Sequence, residues 1–117
     1  MAKSDRYHNS ANKIKVAECL RFGKTYQVTV GSAAKDLETL LGEALPDYAA
    51  GVEIVPDGAI NVQCNGDAAD ADSAKIRTGF PRQIPGFKDQ LDDISLYAAS
   101  DTSVAIFVIQ TDTSNDA

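Results

Sequence analysis

Between residues 94 and 111 the chain alternates in a way that fixes its fold class. Two β-type runs, 94–98 and 104–110, flank a polar turn at 99–103. In the second run Val104, Ile106, Val108 and Gln110 share one face, and Ala105, Phe107, Ile109 and Thr111 share the other. Both faces are mostly apolar. Such a strand is covered on both sides, or covered on one and used as a contact on the other. Ile106 and Val108 match Val28, Val30 and Val62 in type and are assigned to the core. The face with Phe107 is left for a covering helix or for a contact between subunits.

Upstream the same period recurs. Residues 14–22 form an imperfect strand that ends at Gly23-Lys24, and 25–30 form a cleaner one with Tyr26, Val28 and Val30 on one side. Gly31-Ser32 closes it. Ser32 is placed to cap a short helix over 33–43, with Leu37, Leu40, Leu41 and Leu45 on one stripe. Residues 52–64 read as a hairpin through the turn Pro56-Asp57-Gly58-Ala59. An acidic, small-residue loop follows at 65–75. Residues 76–84, interrupted by Phe80-Pro81, read as irregular or as an edge segment. Phe87 and Leu91 lead into a C-terminal hairpin. The expected fold is mainly β: an antiparallel β-sandwich or small barrel-like domain with one short helix. It divides into a flexible basic arm (1–12), a single β domain (13–112) and a polar tail (113–117).

Size and charge sharpen this picture. A chain of 117 residues, 44% apolar, can bury one core without staples. The net charge of −6 is unevenly spread. Residues 1–24 carry six basic and two acidic side chains, and residues 25–117 carry five and fifteen. An acidic body repels phosphates, so nucleic acid is not an expected partner. A basic arm on an acidic body suits docking onto an acidic partner, another copy of the chain included. The start of the chain has no apolar signal region, and no run nears the roughly 18 residues of a membrane span, so synthesis in a cytoplasm and no membrane contact are expected.

Candidate chemistry is sparse. Asp67, Asp70 and Asp72 invite a calcium reading, but counting from Asp67 puts Asp72 at the sixth position and Thr78 at the twelfth, where a calcium loop needs glycine and glutamate. They read as a solvated acidic loop. His8 lies in the arm, away from any positioned partner. Cys19 and Cys64 sit in apolar, strand-like settings as small hydrophobes; two reduced thiols are expected, and spacing leaves one bridge open. Gly23-Lys24-Thr25 lacks the upstream glycine of a phosphate loop, because Glu18 stands there. No catalytic, cofactor or metal set is expected, and neither is enzyme activity.

Three stretches carry a resemblance: TYQVTVGSAAKDLETLL, GVEIVPDGAINVQCNG and ISLYAASDTSVAIFVIQ. In order and texture they resemble small β-sandwich virion proteins of tailed bacteriophages over roughly residues 25–110. The resemblance implies a structural protein of the particle: a capsid decoration (cement) protein on the capsid surface, or a head or tail accessory protein. It implies contact with the major capsid protein or other virion proteins, and self-association as a homotrimer. The long, proline-containing 80–91 segment departs from the simplest pattern. Arg6, Tyr7, Lys13, Lys15, Tyr48, Phe80 and Phe107 are the candidate interface residues. The competing reading is a receptor- or carbohydrate-binding module, served by Tyr48, Asn61 and Asn65.

Overall fold

The computed structural model describes residues 20–111, which form eight strands and two short helices. The strands form two antiparallel sheets of four. In chain order they are β1 (Leu20–Val30), β2 (Lys35–Asp36), β3 (Ala49–Pro56), β4 (Ile60–Gln63), β5 (Ala74–Ile76), β6 (Arg82–Pro85), β7 (Ser95–Tyr97) and β8 (Thr102–Thr111). The first sheet has the order β1-β8-β3-β6 and the second β2-β7-β4-β5. The architecture is a mainly β, sandwich-like domain, as the alternation predicts. The basic arm, the 113–117 tail, Cys19 and His8 lie outside the described residues.

The core sits between the sheets. In the first sheet Ile54, Ile106 and Tyr26 lie opposite one another across β3, β8 and β1, and Val52 opposes Val108. Ile54, Ile60, Leu96, Val104, Ile106 and Val108 are fully buried. Ile106 and Val108 therefore fill the core, as their parity requires.

Two expected hairpins are corners instead. β3 and β4 belong to different sheets, and so do β7 and β8. At the first corner the Asp57 amide donates to the Ser103 carbonyl and the Gly79 amide to the Pro56 carbonyl. At the second the Ala98 amide donates to the Gly31 carbonyl. Among the described residues the only consecutive strands paired in one sheet are β4 and β5. Period-2 alternation says which face of a strand is buried. It does not say whether the next strand lies beside it or across the core from it, because both arrangements bury the same alternate residues.

The helices also depart from expectation. The first, α1, runs only over Leu37–Leu41. Its cap is Asp36, whose carboxylate accepts from the Thr39 amide at 2.9 Å, and not Ser32. Residues 35–36 are instead spent on pairing with β7. Gly42, at φ 78°, ends the helix in the left-handed region, with its amide on the Glu38 carbonyl. Leu37 and Leu45 are buried, and Leu40 and Leu41 pack against the core from partly covered positions. A second helical turn, α2 (Lys88–Leu91), buries Leu91 and was not expected. Residues 82–85 form an edge strand, which suits Pro85 at its end and Pro81 just before it.

Candidate functional site

Two irregularities in the first sheet shape its outer face. Leu20–Val30 is one strand, and Gly23-Lys24 is a bulge within it rather than its end. Phe22 lies opposite Ile109 and Thr25 opposite Phe107, so β1 spends one residue more than β8 between these pairs. The extra residue turns Phe22 from the parity of Tyr26 to that of Phe107. The two rings meet edge to face, 5.7 Å between centroids at 60°. A second irregularity, between Ala49 and Gly51, bends β3 against β8 at the same end of the sheet.

Together these bends open an apolar groove of about 490 Å³, lined by Arg21, Phe22, Ala50, Gln83, Pro85 and Ile109. Phe22 is 53% exposed there. Ala105, Phe107 and Ile109 are half-buried and stand outside the core cluster. α1 sends its leucines into that cluster, so it does not cover the Phe107 face. Among the described residues nothing else closes over this face.

Of the candidate interface residues, Arg6, Tyr7, Lys13 and Lys15 lie outside the described residues. Phe107 lies on the open face. Tyr48, exposed, directly precedes β3 and so lies at the groove end of the sheet, as does exposed Phe87 beyond Pro85. Phe80 is exposed too but lies elsewhere. Its turn is tied to Pro56 at the far end of β3. The sequence reading left Phe22, Ala50, Pro85 and Ile109 out of the candidate set. Their signal was Gly23 within an otherwise continuous strand pattern.

The second sheet holds the acidic loop. The Asn61 side-chain amide donates to the carbonyls of Ser73 (2.9 Å) and Ala71 (3.4 Å), and the Ala69 amide donates to the Ser95 hydroxyl at 3.0 Å. Asn61 is buried, so its amide holds the loop and is not offered to a ligand. Asn65 likewise bonds Asp67, at its side chain and at its amide. Both findings remove support from the carbohydrate reading. Asp70 accepts from the Asp72 amide and from the Ser73 hydroxyl. Among the described residues no group of three or more His, Cys, Asp or Glu could hold a metal ion.

Cys64 corrects the expectation of a buried thiol: it is free and exposed, just beyond β4. Partial desolvation still pushes its thiol above the ordinary range, against a smaller opposite pull from Arg82. At the edge of β1, Lys24 and Tyr26 both bond the Glu43 carboxylate. The Lys24 ammonium also lies 5.3 Å from the Tyr26 ring centre. Lys24 is raised and Glu43 lowered, chiefly by their mutual hydrogen bond. Tyr26 is raised, first by burial and then by its bond to Glu43. No helix among the described residues is long and apolar enough to cross a membrane.

The chain matches no protein-family model, no curated protein and no solved structure.

Proposed function

We propose that the chain is a non-enzymatic structural protein of a tailed-bacteriophage virion. In this reading it is a capsid decoration protein that stabilises the shell through protein–protein contacts. The observation that carries the reading is the open outer face of the first sheet. Phe22, Phe107 and Ile109 gather there beside an apolar groove on a sandwich whose core is already complete without them. An apolar face edged by Arg21 and Gln83, with Glu53 beside Phe107 accepting from the Gln83 side-chain amide, has the make-up of a contact surface. A shell presents its contact site many times over, so modest contacts at each copy add up to firm attachment. The likeness of residues 25–110 to small β-sandwich virion proteins supplies the choice of partner: the major capsid protein or a neighbouring virion protein.

Mass spectrometry of purified particles tests this. The expected result is the intact chain in a copy number commensurate with shell symmetry. Absence of the chain from particles made by cells that express it would refute the reading.

A further inference from the structure

A second surface, distinct from the open face, is built by the connection between β5 and β6. This segment arches from an edge of the second sheet to an edge of the first. It gathers Lys75, Arg77 and Arg82 around Phe80 and Pro81 in a hollow of about 230 Å³. Phe80 is 61% exposed. The turn that presents it is fixed by backbone bonds: the Phe80 amide to the Arg77 carbonyl (3.1 Å) and the Gly79 amide to the Pro56 carbonyl (2.7 Å). Gly79 holds φ 72° there with open space around it, so the turn itself demands the glycine.

The charges in this hollow lie close together and are left without carboxylate partners among the described residues. The described residues carry seven basic and thirteen acidic side chains. Lys24 and Lys88 are paired with Glu43 and Asp92. Lys75, Arg77 and Arg82 have no ion pair among the described residues, although carboxylates outnumber cations nearly two to one. The complementary feature lies at the other end of β5. Asp67, Asp70 and Asp72 project from the 65–73 loop, all exposed and without an ion pair among the described residues. That loop is anchored from beneath by Asn61 and Ser95. Three cations, one on the edge strand β5 and two beyond it, and three carboxylates before it are therefore each set on a braced backbone and form no ion pair with one another.

We propose that the Lys75–Arg77–Arg82 hollow receives the acidic 65–73 loop of a second copy, so that the chain associates head to tail. Arginine presents a planar donor fork that takes a carboxylate with two bonds, and Phe80 supplies an apolar wall beside it. Because the two patches differ, a joined pair still has one hollow and one loop unused, on different copies. Association then continues until a ring closes. The inference goes beyond the virion reading, which rests on the outer face of the first sheet, and either can fail without the other.

The test is sedimentation of the purified full chain with a charge-swap pair. One variant is Arg77→Glu with Arg82→Glu. The other is Asp67→Lys with Asp72→Lys, which spares Asp70 because its carboxylate braces the loop. Circular dichroism and melting confirm that each variant folds. At low salt the wild-type chain should form a closed oligomer. Each variant alone should associate roughly tenfold more weakly, the scale of losing a few exposed charge pairs. An equimolar mixture should recover association through mixed contacts. The oligomer should weaken at about 1 M salt, where the Debye length is about 3 Å. A wild-type chain that stays monomeric at low salt would overturn the proposal, and so would a mixture that stays apart. So would association that survives both variants but is lost on deleting residues 1–12, which would assign the contact to the basic arm.

Discussion

Replacing Ile106 with alanine should cost about 2–5 kcal/mol of folding stability, the range for large-to-small changes at closed core sites. Ile106 is fully buried at the middle of β8, between Tyr26 on β1 and Ile54 on β3. Ile60 and Leu96 of the opposite sheet are fully buried in the same core cluster. Both layers are held by their own hydrogen-bonded ladders, so neither can move inward freely to fill the space left by the lost methyl groups. Chemical denaturation of the full chain measures the loss, with Ile109→Ala on the half-buried face as the control. Ile109→Ala should cost distinctly less. Equal losses at the two positions would mean that both faces of β8 are core, and that the outer face is not free for a partner.

Substituting alanine at Gly51 should cost about 1–3 kcal/mol, as overpacking of a filled site does. The reason is space rather than backbone conformation, since Gly51 is not among the positive-φ glycines. A methyl group there would lie 2.9 Å from the Ile84 carbonyl oxygen and 3.3 Å from the Pro85 Cα, both main-chain atoms of β6. A flexible side chain could swing aside, as the Gln110 amide could for a methyl at Gly23. Main chain held in a ladder cannot. β6 is an edge strand paired only with β3, so the strain should appear as its detachment. Amide hydrogen exchange should show faster opening of residues 82–84 together with the lower melting temperature. A neutral substitution with unchanged protection in β6 would contradict the close approach. The same change bears on the candidate site, because Gln83 and Pro85 wall the groove.

What was legible in the sequence was the parity of β8, of β4 and of β1 from Thr25 onward. The alternation in β8 and β1 correctly assigned Val104, Ile106, Val108 and Val30 to the interior. It could not choose between hairpin and corner at residues 56–59 or 99–103, since burial is the same in both. Gly23 read as the end of a strand because glycine marks ends and bulges alike. Only the register against Ile109 and Phe107 shows that the strand continues and that Phe22 changes face. Asp36 displaced Ser32 as the helix cap because the backbone before it is claimed by pairing with β7, a long-range contact that local propensity does not see. The basic hollow was equally hidden. Lys75, Arg77 and Arg82 are spread over eight positions, and the arch between the two sheets brings them together. The candidate face was visible in outline, through the apolar residues on both sides of β8. Asn61 carried no sign that its amide is consumed beneath a loop.

The most direct measurement is co-sedimentation of the purified chain with phage shells stripped of it, comparing the wild type with Phe107→Asp. Phe107 is half-buried on the open face and packs on Phe22, so a carboxylate there places charge at the centre of the proposed contact while leaving the core residues untouched. The wild-type chain should bind saturably. A Phe107→Asp variant that still melts cooperatively should lose at least roughly tenfold in affinity, in line with removal of a central aromatic anchor. Wild-type binding that is unchanged by Phe107→Asp would contradict the assignment of this face. No binding of the wild-type chain to the stripped shells would contradict the virion role itself.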